Sequence, residues 1–258
     1  PASAELGAPA LLLPEESQRL AEILSDELPG RDAAQTLALT GASGGLGVSS
    51  LAVALATRAA ETGLRSVVVE LASCGGGLDL LFGAETQEGM TWEELRHAVG
   101  EIGDLTPHLV PAERVSVLAL GRPHGDSPDE AALSAVLRSL ERSHDLVVVD
   151  AGDGARLAEL GRRVVPLLMV GADVRSVAAA RMRARRIDLA GALLVVRVGK
   201  GRGLPPEAVS DALGLPLAGV VRDDPKVPRL AAQGASVGSR PAARLRRDST
   251  RLLKEVRL

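Results

Sequence analysis

The chain has 258 residues, 46% hydrophobic and 24% charged, with a net charge of −3, which suits one large α/β domain and is too short for two of ordinary size with linkers. The slight negative charge gives no global basic field for DNA or an anionic bilayer, aromatics at 1% leave few stacking platforms for single-stranded nucleic acid, and no apolar run reaches the ~20 residues of a membrane-spanning helix. A single cysteine, Cys74, excludes an internal disulfide and suits a reducing cytoplasm, and His97, His108, His124 and His144 lack metal-site spacing.

Residues 1–9 are small and uncommitted, and the first residue is Pro1 rather than Met, so a larger parent chain is expected. A helix is expected between Pro14 and Gly30, with Leu20, Ile23, Leu24 and Leu28 on one face. Residues 1–30 thus read as linker and helix, and 31–258 as the main domain. Thr36 to Thr40 reads as a short buried strand, followed by the glycine-rich turn Thr40 to Ser50 and an alanine-rich helix from Ser49 to Gly63. Glycines let backbone N–H groups converge on a phosphate, and a helix start adds partial positive charge, so strand, turn and helix together form an anion site.

Ser66 to Leu71 is a β-branched strand that empties into a second glycine-rich stretch, 72–83. Thr91 and Glu94 form a capping box for a short helix with Trp92 expected in the core, and Val115 to Leu120 is another strand. Ser127-Pro128-Asp129-Glu130 reads as a second capping box with proline at the first helical position, ahead of a stripe of Leu133, Val136, Leu137 and Leu140. Leu146 to Asp150 is an unbroken apolar strand ending in aspartate, the form of a Walker B strand whose carboxylate sits beside magnesium. In isolation Asp150 reads first as a turn cap; the glycine loop upstream reverses that in favour of the Walker B reading.

Strands recur at 164–170, 192–198 and 217–221, with helices from Val174 (capped by Asp173), Pro205 and Asp224, and an arginine-rich helix from Pro241 to Leu258. Alternation of strands and helices predicts a doubly wound, mostly parallel sheet of seven or eight strands with helices on both faces. Ligands bind such sheets at the carboxyl ends of the strands, where the loop and Asp150 both fall.

A working P-loop reads G-x-x-x-x-G-K-[ST], its lysine neutralising phosphate and its hydroxyl holding magnesium. Here Val48 stands in the lysine place and Ser49 keeps the hydroxyl, while the only lysines in the chain are Lys200, Lys226 and Lys254. Phosphate would therefore be met by Gly44, Gly45, Leu46, Gly47, Val48, Ser49 and Ser50 through backbone and serine, with Asp150 nearby. Ser49 and Asp150 would be the magnesium ligands of any bound Mg-ATP.

Three stretches, 42–50, 70–83 and 146–154, follow in the order of the MinD/ParA ATPases. The run Glu70-Leu71-Ala72-Ser73-Cys74-Gly75-Gly76-Gly77-Leu78-Asp79-Leu80-Leu81-Phe82-Gly83 resembles the CpaE/TadZ-like branch, which includes actinobacterial septum-site determining proteins. The Thr91-Trp92 segment, Asp173-Val174-Arg175 and the Asp224-Pro225 turn are similar to that branch too. The resemblance implies a P-loop NTPase fold with the variant loop K-G-G-x-G-K-[ST], in which Ser43 and Val48 replace both lysines. Ala72 replaces the carboxylate that would orient the attacking water.

The resemblance therefore implies a non-hydrolysing scaffold or localisation protein, positioning a Tad-type pilus or secretion apparatus or acting in septum-site determination. No cofactor would be required, and ATP with magnesium would bind weakly if at all. Partners would be proteins of that apparatus; relatives dimerise across the site, and without the signature lysine a homodimer here would be nucleotide-independent or absent. The location would be cytoplasmic with recruitment to the inner membrane face at a pole or septum. Two other readings stand beside it. One is an ATP-binding switch or slow ATPase with catalytic groups relocated to Lys200, Arg197 or Arg122. The other is a positioning protein that contacts DNA or membrane through Arg181 to Arg186, or through Arg240, Arg244, Arg246, Arg247, Arg251 and Lys254. Nucleic acid is the less expected of those contacts. The last helix has an apolar side of Leu245, Leu252, Leu253 and Val256, for which packing on its own domain is the favoured reading. Cys74, with no paired histidine, is not a nucleophile candidate.

Overall fold

The computed structural model describes residues 34–72, 76–121, 127–161 and 163–256, all within one compact unit, Ala34–Leu258. The helix expected before Gly30, and Cys74, Arg122 and His124, lie outside the described residues.

Chain order is β1 (Gln35–Gly41), α1 (Val48–Glu61), β2 (Ser66–Glu70), α2 (Leu78–Phe82), α3 (Trp92–Leu95), β3 (Val110–Ala112), β4 (Val115–Leu118), α4 (Glu130–Ser143) and β5 (Leu146–Asp150). It continues with β6 (Val164–Gly171), α5 (Val174–Arg183), β7 (Leu193–Val198), α6 (Pro206–Leu213), β8 (Leu217–Arg222), α7 (Lys226–Ala232) and α8 (Ala243–Glu255). The strands form one eight-stranded sheet in the order β3-β4-β2-β5-β1-β6-β7-β8. Pairings are parallel throughout except between β3 and β4.

The central strands are runs of Val and Leu because both faces are covered. Val67, Val69, Val147 and Val149 turn toward one layer with the α4 stripe Leu133, Val136, Leu137 and Leu140. Val68, Leu146 and Val148 turn to the other, with Leu51 and Leu55 of α1.

Four details differ from the sequence reading. Strand β3 was not expected: it is three residues long with Pro111 exposed at its centre, and it is joined to β4 through Glu113 and Arg114, where Glu113 takes a left-handed φ of 56°. A turn without glycine or asparagine carries no hairpin signal. Helix α4 starts later than the capping box implied, because Asp129 is the N-cap and its carboxylate accepts the Ala132 N–H at 2.8 Å; Pro128 therefore precedes the helix instead of opening it. Strand β4 stops at Leu118, since the Ala119 carbonyl accepts from the Trp92 N–H and the Leu120 N–H donates to Glu70. The helix read from Asp224 begins at Lys226, and Asp224 instead accepts N–H bonds from Lys226, Arg244 and Leu245.

Helix α8 lies on α1 and β8, with Leu245, Leu252, Leu253 and Val256 buried. Arg246 bonds Glu61, Arg58 bonds Thr250, and the fully buried Asp248 accepts from the Arg222 backbone and guanidinium. The apolar side of this helix is thus spent within the domain and leaves no stripe for a bilayer. Among the described residues no helix is long and apolar enough to cross a membrane.

Trp92 has no exposed surface, and its Nε1–H donates to the Glu70 carbonyl at 2.9 Å. Trp92→Ala is expected to lower stability by about 3–5 kcal/mol. Trp92→Phe should cost about 1–3 kcal/mol, chiefly by leaving that carbonyl unpaired. Urea unfolding followed by far-UV circular dichroism checks both, and a Trp92→Phe variant as stable as the parent would show that the hydrogen bond contributes nothing.

Candidate functional site

The loop between β1 and α1 closes tightly because Gly41 has no side chain: a Cβ there would fall 2.9 Å from Val48 Cγ2 and 3.1 Å from the Ser43 carbonyl. Val48 thus lies over Gly41 as part of the wall. Gly45 and Gly47 adopt left-handed φ angles of 75° and 86°, which glycine alone accepts without strain. Gly47 is the N-cap of α1, and no side chain caps it and no acid sits in the first turn. The first N–H groups of a helix have no partner within it. Apart from its chain neighbours, nothing lies within 4 Å of a Cβ built on Gly44 or Gly45, so that side of the loop is open.

Parallel pairing brings the acid to this cradle. In register, Asp150 sits between Leu39 of β1 and Glu70 of β2. Asp150 is 1% exposed; its Oδ1 accepts the Gly152 N–H at 3.2 Å, and its Oδ2 has no partner. Burial pushes its carboxyl above the ordinary range, opposed by the neighbouring Ser49 hydroxyl and the Gly152 N–H. Glu70, also buried, accepts through Oε2 from the N–H groups of Leu78 at 3.3 Å and Leu120 at 3.2 Å. Burial pushes this carboxyl up as well; the two N–H bonds oppose it and the charges of Asp150 and Asp79 add to it. Glu70 therefore ties the ends of β2, α2 and β4 together.

A cleft of about 530 Å³ runs along the loop, and Ser43, Ser49, Ala72, Asp150, Asp153 and Arg183 are among its walls. Ala72 packs on the next loop so closely that a Cβ on Gly152 would stand 2.9 Å from the Ala72 Cβ. A methyl group thus occupies the place where the resemblance sets a water-orienting carboxylate. Arg183 comes from the last turn of α5. Its guanidinium donates to the Asp153 carbonyl, and its Nε is buried without a partner.

A second cleft of about 1020 Å³ meets the first at Gly45, Gly47 and Ser50. There the Arg197 guanidinium comes within 3.5 Å of a Cβ position on Gly47, while its Nε donates to Asp223 at 3.0 Å.

The structure therefore gathers all of Gly44, Gly45, Leu46, Gly47, Val48, Ser49, Ser50 and Asp150 around one cleft. Of the relocated cations considered from sequence, Arg197 reaches the loop already paired, and Lys200 lines only the second cleft. Arg183 was legible only as one member of a basic stretch, since nothing in its spacing shows which strand end it crosses. The residues present fit a magnesium-bound phosphate chain: a helix start with no side-chain cap beside the exposed Gly44 and Gly45, the Ser49 hydroxyl, and a buried carboxylate oxygen with no hydrogen-bond partner.

No established family profile matches the chain. Two Mycobacterium tuberculosis proteins, uncharacterized protein Rv3660c of strain H37Rv and uncharacterized protein MT3760 of strain CDC 1551, are each 33% identical over 198 residues. The match takes in 74% of this chain and 55% of each relative, so the chain spans about half the length of the curated relatives it matches. Among solved structures, the MinC:MinD cell division protein complex of Aquifex aeolicus aligns with a TM-score of 0.67 at 19% identity, covering 86% of this chain and 96% of that one. The septum site-determining protein MinD of Pyrococcus horikoshii, complexed with Mg-ADP, aligns at 0.65 and 18%, covering 87% and 96%. A ParA family ATPase of Chlorobium tepidum aligns at 0.70 and 13%, covering 88% and 99%. The fold is that of the MinD/ParA-like P-loop NTPases.

A carboxyl whose pKa is raised on folding adds stability below its unfolded pKa and loses it as pH rises through the folded value. Glu70 is such a group. Glu70→Gln is therefore expected to gain stability relative to the parent protein as pH rises from about 4 to 8, with the gap closing at the acid end. Urea midpoints at stepped pH measure it, and parallel curves would clear Glu70 of that role.

Proposed function

We propose that this protein is a non-hydrolysing MinD/ParA-like positioning protein, with the phosphate loop of the fold kept and its turnover machinery removed. One observation carries the reading: Val48 and Ala72 present apolar groups to the cleft at the two places where charge and a positioned water would be needed. Phosphoryl transfer depends almost wholly on electrostatic stabilisation and positioning. Losing one such group commonly costs about 10²–10³ in rate, and here both kinds are gone.

Recruitment of protein partners supplies the function in place of turnover. The likeness to the MinD that stands in complex with MinC supports a protein partner bound on this fold. The apparatus positioned is a Tad-type pilus or secretion machine, in the CpaE/TadZ manner, or a division site. Placement is cytoplasmic, with recruitment to the inner membrane face at a pole or septum. Because the apolar side of α8 is buried, that recruitment runs through a protein and not through this helix.

The second reading is an ATP-binding switch, favoured by the open cradle and the unpartnered Asp150 Oδ2. In that form nucleotide is held without being consumed and sets the state of a homodimer. Sedimentation with and without Mg-ATP separates the two: a strictly ATP-dependent dimer selects the switch, and an unchanged distribution selects the scaffold.

Under saturating Mg-ATP, steady-state phosphate release is expected to stay below about 10⁻⁴ s⁻¹, the scale of an unassisted GTPase. Magnesium-dependent turnover well above that, lost on Asp150→Asn, would overturn the non-hydrolysing reading.

A further inference from the structure

We propose that Arg183 is the phosphate-binding cation of this site, delivered from the last turn of α5 to replace the charge that the loop lacks, and that the ligand it receives is a magnesium-complexed polyphosphate. The proposal rests on reading the glycine loop as a phosphate-holding loop, and it does not require hydrolysis.

Among the described residues that line the 530 Å³ cleft, Arg183 is the sole basic side chain. Its anchoring is partial. The side chain is half-buried and its guanidinium has five N–H donors; one nitrogen donates to the Asp153 carbonyl, while the Nε atom is covered and has no hydrogen-bond partner. The Asp153 carboxylate does not take it up in any described bond, since its Oδ1 accepts the Ala155 N–H within its own turn. A buried donor without an acceptor costs free energy until one arrives. Phosphate oxygens suit a guanidinium best, because the planar fork makes two parallel charge-assisted bonds.

The opposite demand stands in the same cleft. Asp150 is almost fully buried and its Oδ2 lacks a partner. A neutral sugar or peptide would leave one of the two charges unanswered, and a bare polyanion would be repelled by the carboxylate. A polyphosphate carrying a divalent cation answers both, the metal facing the Asp150 and Ser49 oxygens and phosphate oxygen facing Arg183 and the open N–H groups of the loop. The charge is permanent, because a guanidinium does not lose its proton in proteins.

The test is isothermal titration of the full chain with Mg-ATP and, as a base-free probe, Mg-tripolyphosphate, using the parent protein, Arg183→Ala and Arg183→Lys. Arg183→Ala should weaken both ligands by about 10- to 100-fold, Arg183→Lys should recover part of that loss, and the melting temperature without ligand should stay unchanged. Equal affinity in the parent and Arg183→Ala overturns the proposal. So does a loss for ATP with none for tripolyphosphate, which would place Arg183 at the nucleoside. A fall in melting temperature with unchanged affinity of the folded protein would leave Arg183 as a loop tie only. If the parent protein binds neither ligand at millimolar concentration, the proposal fails while the non-hydrolysing positioning role stands. If the parent protein turns ATP over, that role fails and the Arg183 proposal is judged on the affinities alone.

Discussion

The parallel register that holds Asp150 between Leu39 and Glu70 is the constraint on which the rest of the site depends. Side chains alternate along a strand, and Val149 is committed to the layer of α4, so Asp150 must face the layer of α1. There it shares the cleft wall with Ser49. A slip of one residue would turn the acid into the opposite apolar layer and set a valine beside the loop. The apolar runs of β2 and β5, with Leu37, Ala38 and Leu39 of β1, are buried on both faces and therefore fix the place of the acid at their ends.

Loop shape and loop charge are separable here. Shape comes from glycine at left-handed positions and from Val48 lying over Gly41, none of which needs a ligand or a lysine. The cradle is thus organised in advance, and holding an anion requires little ordering of the backbone. Charge is the part that the loop sequence has lost. What remains local is the helix terminus, worth roughly 0.3–1 kcal/mol at an exposed site, so a larger contribution has to come from outside the loop.

Much of this was legible in the sequence because it is local or periodic. The strands, the glycine turn, the α4 stripe and the caps at Thr91 and Asp173 follow from alternation, helical spacing and short-range hydrogen bonding. The burial of Trp92 was legible too, though its bond to the Glu70 carbonyl spans 22 residues and was not. Strand β3 escaped because three residues carry no period and its turn lacks the usual residues. The cap of α4 was misplaced by two residues because Ser127 and Asp129 are both good caps, and only the backbone path into the helix decides between them. Arg183 escaped for a different reason. Its place in the cleft is set by where the last turn of α5 meets the Asp153 carbonyl in the turn after β5, which is a tertiary fact with no local trace. The stripe on α8 had the same pattern whether it faced a bilayer or its own domain, and its packing on α1 and β8 decided the matter.

Edge strand β3 constrains how copies of this protein can assemble. Three residues long, with an exposed proline that has no N–H to give at its centre, it offers an incoming strand almost no ladder to extend. Sheet-to-sheet fusion into fibres is therefore blocked at that margin. Any higher-order array that grows in this direction has to be joined through side-chain contacts, which are reversible and open to regulation.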